Sequence, residues 1–177
     1  IFFQLQSAMS TATERDRSTS SPTQIQWRKS VEQAIRSGQC SDFKKDWTNI
    51  RPPQPAIFTP DYYYKRPLAV FIPHLIIPNY IPGCPICKKS ANVMVNRYQF
   101  VKNSKPLFGL QEQRELLTVK YPCTRCADGN EHWFVGYHNE SLRLGGPKLL
   151  GVFRFFVAPT FAIDEPLHSF LVSQPYI

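Results

Sequence analysis

The chain has 177 residues and a mass of 20.4 kDa, enough for one domain or one domain plus a tail, and too short for two full globular domains. Its 21 Lys and Arg against 13 Asp and Glu give a net charge of +8, which suits a polyanionic partner, while a 42% hydrophobic fraction excludes a wholly disordered chain. Sixteen prolines, nearly twice the usual share, exclude long uninterrupted helices over much of the sequence.

In chain order, Ile1-Phe2-Phe3-Gln4-Leu5 is too short and too soon polar for the apolar region of a signal peptide. Met9 reads as a natural start, with the residues before it either upstream read-through or part of a longer protein. The Ser/Thr/Arg/Glu composition that follows predicts a disordered lead over residues 1–21. Ser21-Pro22-Thr23-Gln24 then has the signature of a helix start, with Ser at the N-cap, Pro in the first turn and Gln24 placed to reach back in a capping box. Trp27, Val31, Ala34 and Ile35 fall on one face, and Gly38 suits the C′ position, so one amphipathic helix is expected over 22–37. Ser41 to Trp47 could add a short helical turn before Pro52-Pro53-Gln54-Pro55 ends regular structure.

From Pro60 to Pro82, aromatic and branched residues punctuated by proline predict short extended pieces lying on a core. The most apolar run, Leu68 to Ile81, is cut by Pro73 and Pro78 and carries His74, so it offers no membrane span of about 20 apolar residues. Strands are expected at Val93 to Tyr98, at Leu116 to Tyr121 and at His132 to Tyr137, with residues 102–114 as the loop between the first two. Gly145-Gly146-Pro147 predicts a break followed by a short helix.

Cysteine spacing carries the chemistry. Cys84-Pro85-Ile86-Cys87 and Cys123-Thr124-Arg125-Cys126 are two C-x-x-C pairs, and together they supply the four thiolates of a tetrahedral structural Zn²⁺. The two-residue spacing makes a tight turn that aims both sulfurs at one point. A strand leaving the first pair, another arriving at the second and a third following it give the layout of a zinc ribbon. Alternatives are two disulfides, which would suit a secreted protein, and a redox pair, which would need only one C-x-x-C beside a βαβ pattern. His132 or His138 could replace one cysteine, and Cys40 is left over as a plain thiol. A Cys₄ shell is closed, so a hydrolytic metal is not expected. There is no G-x-S-x-G, P-loop, H-E-x-x-H or deaminase-type H-x-E signature, and the chain reads as a non-enzyme.

Lys88, Lys89, Arg97, Lys120 and Arg125 lie in or beside the two pairs, with Lys102 and Lys105 near by. Together with Tyr98, Tyr121 and Trp133 they could place cations on phosphates and aromatic rings on bases of DNA or RNA. The same residues could equally be a solubilising surface over core aromatics. Arg15, Arg17, Arg28 and Lys29 could extend the footprint or form a solvated face.

Arg66-Pro67-Leu68 through Val70-Phe71-Ile72-Pro73, Pro78-Asn79-Tyr80-Ile81-Pro82-Gly83 leading into the first pair, Arg97-Tyr98, and Lys120-Tyr121-Pro122 leading into the second resemble an uncharacterised two-knuckle domain of unknown function. That domain occurs in fungal, oomycete and algal proteins, often related to mobile elements. The resemblance covers about residues 60–165 and implies zinc and a transposon-related context, without implying a reaction.

The sequence therefore predicts an α+β chain: a small zinc-ribbon-like antiparallel β core with an N-terminal amphipathic helix and irregular proline-rich segments. Its parts are the disordered lead 1–21, a helical arm and Pro-rich linker 22–59, the ribbon-like domain 60–165 and a tail 166–177. One structural zinc on Cys84, Cys87, Cys123 and Cys126 holds it together. The expected function is nucleic-acid recognition or targeting in an intracellular, including nuclear, setting. The rival is a protein-interaction or scaffold module, within a larger polypeptide, that uses the Phe153 to Phe161 segment and the Trp27 helix face. No membrane partner is expected.

Overall fold

The computed structural model describes residues 20–39, 46–54, 56–57, 60, 64–126 and 129–173. The expected lead through residue 19, Cys40 and the first part of the Ser41 to Trp47 turn lie outside them.

Helix α1, Pro22–Arg36, begins where its capping residues place it: the Ser21 hydroxyl accepts the Gln24 N–H at 3.2 Å. It ends with Gly38 in the left-handed region at φ +73°. The Gln24 side chain does not close a capping box. Its amide oxygen accepts the Arg66 N–H at 2.6 Å and its amide nitrogen donates to the Arg66 carbonyl at 3.3 Å, satisfying the backbone just before the first strand. The buried stripe is accordingly Gln24, Arg28, Val31 and Ile35. Buried Arg28 needs partners. It donates to Ser104 at 3.0 Å and lies 3.5 Å from Glu32, while Ser104 and Ser20 both donate to the buried Glu115 carboxylate. Helix α1 is thus bound to the sheet by a polar network as well as by Val31 and Ile35.

The remaining elements are β1 (Leu68–Phe71), α2 (Pro73–Ile76), a 3₁₀ turn (Val95–Arg97), β2 (Gln99–Phe100), β3 (Lys105–Phe108), β4 (Gln113–Cys123), β5 (His132–Val135), α3 (Asn139–Leu150), β6 (Phe155–Val157), β7 (Ala162–Asp164) and α4 (Glu165–Ser173). Helix and sheet are mixed, as an α+β chain requires. Eleven-residue β4 is the spine. Along its first half it pairs with β1 on one side and β3 on the other, and β3 continues to β7 and β6. Along its second half it pairs with β2 and β5.

The expected antiparallel core needs correction, because β1 lies parallel to β4 and β7 parallel to β3. The 102–114 loop is corrected too: it holds β3 and a tight turn in which Gly109 N–H donates to the Glu112 carbonyl at 3.2 Å. Pro106 fits inside β3 because Glu115, opposite it, sends its N–H to Pro67 instead, so no ladder bond is lost. Of the expected Val93 to Tyr98 strand, only a single Val93–Cys123 bridge and the 3₁₀ turn form before β2.

Alternate residues of β4 feed two cores. Leu117, Val119, Tyr121 and Cys123 join Leu68, Val70, Ile72, Val31, Ile35 and Phe134 on one face. Leu116 joins Ala69, Phe71, Leu107, Leu142, Leu149, Phe155 and Ala162 on the other. All four residues of β1 are buried, as expected of a strand covered on both faces. Each fully buried large aliphatic or aromatic side chain contributes about 1.5–3 kcal/mol. Helix α3 carries the expected break: Gly146, at φ +64° and ψ −164°, leaves helical geometry just before Pro147.

Candidate metal centre

The first C-x-x-C turn closes by two backbone bonds, Lys88 N–H to the Cys84 carbonyl at 2.9 Å and Cys84 N–H to the Lys89 carbonyl at 3.2 Å. Closure forces Lys88 into the left-handed region at φ +63°. The Lys89 N–H then points at the Cys87 sulfur and holds that thiol below its usual pKa. The second turn leaves the end of β4 at Cys123, and Gly129 N–H donates to the Cys126 carbonyl at 3.0 Å. Burial pushes the Cys123 thiol far above its usual value, whereas coordination to a metal would deprotonate it outright.

The two turns bring four sulfurs together. Cys84 Sγ lies 3.8 Å from Cys126 Sγ, and Cys87 Sγ lies 3.7 Å from Cys123 Sγ. All four ligand atoms fall within 4.8 Å of one another. Four thiolates about 2.3 Å from a central zinc occupy the corners of a tetrahedron with edges near ~3.8 Å, so the cage has the size such an ion needs. The four cysteines are free thiols with no disulfide among them. They could bind one metal ion. Cys84, Cys123 and Cys126 are buried and Cys87 is half-buried, which leaves one sulfur near solvent. No histidine belongs to the group. His74 instead faces the Tyr121 hydroxyl at 2.7 Å, and its burial lowers its pKa from 6.5 to about 4.

Sequence reasoning missed the parts that lock the turns in place. Asn92 is the clasp between them: its side-chain amide donates to the Arg125 carbonyl at 2.7 Å, and its own carbonyl accepts the Thr124 N–H at 3.0 Å. A lone Asn a few residues after a cysteine pair carries no signal of that role. The first turn is also docked on α3, where Ser141 donates to the Gly83 carbonyl at 2.8 Å in a buried bond. A Cβ on Gly83 would sit 2.8 Å from Leu144 Cδ1, so the backbone approaches the helix closely there.

The five basic residues divide. Lys88 pairs with Glu140 at 2.7 Å and Arg97 with Glu131 at 3.1 Å; the first pair holds Glu140 below the usual carboxylate range. Lys120 sits 5.0 Å above the Trp133 ring. Lys89 and Arg125 are exposed, with no ion pair to any of the described residues. Tyr121 is fully buried and Tyr98 packs against the core, so neither is an open stacking ring.

Among the described residues no helix is long and apolar enough to cross a membrane. Compared with known proteins, the chain matches no family model, no curated protein and no solved structure.

Proposed function

We propose that this chain is a non-catalytic, zinc-stabilised nucleic-acid recognition or targeting module with a ribbon-like metal half, akin to the two-knuckle domain it resembles and working in the same transposon-related, intracellular setting. The observation that carries the reading is the cage of four sulfurs with 3.7 and 3.8 Å edges, sized for tetrahedral zinc. The antiparallel trio β2–β4–β5, with a cysteine turn before β2 and another between β4 and β5, supports the ribbon-like description. When bound, zinc supplies structural cross-linking of the two turns. Cys84, Cys87, Cys123 and Cys126 would hold it; the Lys89 backbone N–H, and the Asn92 and Ser141 side chains through backbone carbonyls of Arg125 and Gly83, position those ligands.

Nucleic-acid binding is supported by Lys89 and Arg125, exposed beside the cysteine cage with no ion pair among the described residues, and by Lys88 and Arg97, whose exposed ion pairs are weak enough to exchange for phosphate. The test is fluorescence anisotropy of labelled duplex and single-stranded oligonucleotides at rising salt. Binding that weakens steeply with salt is expected, and no binding of either form at low salt would remove the reading.

A second reading rests on the other end of the molecule. Leu150, Phe156, Phe170, Leu171 and Val172 are exposed on α3, β6 and α4, which supports contact with another protein or another part of a larger polypeptide. The Trp27 face drops out of that reading, since Trp27 packs inward against the core. Self-association that rises with concentration, without nucleic-acid binding, would favour it.

A further inference from the structure

Trp133 has no place in either core. Trp27 and Trp47 pack against the first, whereas Trp133 packs against neither among the described residues. The pairing register explains why. Tyr121 pairs with Phe134, Val119 with Phe100 and Cys123 with His132, and this set faces the buried metal side. The intervening residues, Gln99, Lys120 and Val135 in one row and Pro122 and Trp133 in the next, point to the opposite face. Lower on β4 that face is covered by Phe71, Leu142 and Phe155 around Leu116. Along β2–β4–β5, Pro122 is buried beside Trp133, whereas Gln99 is exposed and Lys120, Trp133 and Val135 are only part-buried.

The ring is held rather than loose. Its indole N–H donates to Glu131 Oε1 at 3.0 Å, while Glu131 Oε2 takes the Arg97 guanidinium at 3.1 Å. Lys120 Nζ lies 5.0 Å from the ring centroid. The local count of Arg97 and Lys120 against Glu131 leaves one surplus cation.

We infer that the open face of β2–β4–β5 is a stacking platform for single-stranded nucleic acid, with Trp133 under a base and Lys120 moving from the ring to the neighbouring phosphate. The inference rests on the nucleic-acid reading above and deepens it. Three strands about 4.8 Å apart make a platform about 10 Å wide, room for one or two nucleotides. A duplex keeps its bases stacked on each other and offers no ring to an aromatic on a flat face, whereas a single strand does.

The experiment uses the full zinc-loaded chain with an oligothymidine strand of about 15 nucleotides and the same strand annealed to its complement. The single strand is expected to bind more tightly. Trp133→Ala should weaken it about tenfold or more, Trp133→Phe should keep most of the affinity, and Lys120→Gln should flatten the salt dependence by about one phosphate contact. Photocrosslinking of the bound strand to the unsubstituted chain should label the peptide that contains Trp133, a readout independent of how any variant folds. Binding that persists unchanged in Trp133→Ala, with crosslinks elsewhere, overturns the platform and leaves the nucleic-acid reading standing. Equal or tighter binding of the duplex does the same. No binding of either probe by the unsubstituted chain overturns both.

Discussion

The two halves of β4 are held in different ways. Residues Gln113 to Thr118 pair with β3 over Gln113 to Leu116 and with β1 over Glu115 to Thr118, with apolar layers on both faces, α1 with Val70 and Leu117 on one and α3 with Phe71 and Leu116 on the other. Residues Val119 to Cys123 pair with β2 at Val119 and Lys120 and with β5 over Lys120 to Cys123, and among the described residues a core lies on one face only, one that contains Cys84, Cys123 and Cys126 themselves. In the first half, burial alone is enough. In the second, β2 has two residues and β5 four, too little paired and buried surface to stand without a cross-link. A metal held by Cys84, Cys87, Cys123 and Cys126 would lie in that single core and would cross-link the half of the sheet that has the least paired strand.

The largest effect should come from removing the cross-link. Cys84→Ser or Cys123→Ser, or a strong chelator, forfeits metal binding worth on the order of 10 kcal/mol in small zinc domains. Hydrogen exchange should then show loss of protection around residues 84–101, 119–126 and 129–135, while Leu107 and Phe155 stay protected. Loss of protection in both halves together would break the comparison. Leu107→Ala strikes the other half: Leu107 is wholly buried in the second core, so a loss of about 2–5 kcal/mol is expected, measured by denaturant unfolding, with metal content unchanged.

Asn92→Ala opens the clasp between the two cysteine turns. Leaving the Arg125 carbonyl unmatched should lower metal affinity by about 10–100-fold, as loss of a ligand-orienting partner does, seen by competition with a chromophoric chelator. Acid acts on His74, which packs against Tyr98 and Tyr121 beside the second half. His74 is neutral when folded, with its pKa near 4 against 6.5 ordinarily, so the unfolded chain binds the extra proton first. Stability should therefore fall as pH drops from about 6.5 towards 4, and His74→Gln should flatten that slope in metal-saturated protein. The smallest effect belongs to Lys88→Gly. It relieves a left-handed residue costing about 1–2 kcal/mol and gives up an exposed ion pair worth under about 1 kcal/mol, so metal affinity should hold or rise slightly; a clear loss would show that the Glu140 pair matters more than the backbone.

What the sequence disclosed was what short-range chemistry decides. Ser21 and Pro22 mark the start of α1, Gly38 its end, and Gly145-Gly146-Pro147 the break in α3, because caps and breaks act within a few residues. The C-x-x-C pairs found the metal cage because their geometry is local to each turn. Pairings across the chain stayed hidden. Nothing near Lys105 shows that it begins a strand whose second neighbour is Ala162–Asp164, and nothing in Gln24 shows that it will bond Arg66, 42 residues on, in preference to its own helix end. The Arg97–Tyr98 alternation read as strand, yet the backbone just upstream is spent on the second cysteine turn, with Asn92 and Met94 bonded to Thr124 and Pro122. Of the basic residues, sequence could gather them but could not see that Glu140 and Glu131 already hold two.

The central claim is that one tetrahedral metal closes the upper half of β4. Native mass spectrometry of the intact chain beside its denatured mass tests it most directly. One zinc per chain, absent from Cys84→Ser and from Cys123→Ser, is the result this account predicts. A metal-free native chain, or one whose mass reveals disulfides among these four cysteines, would contradict it.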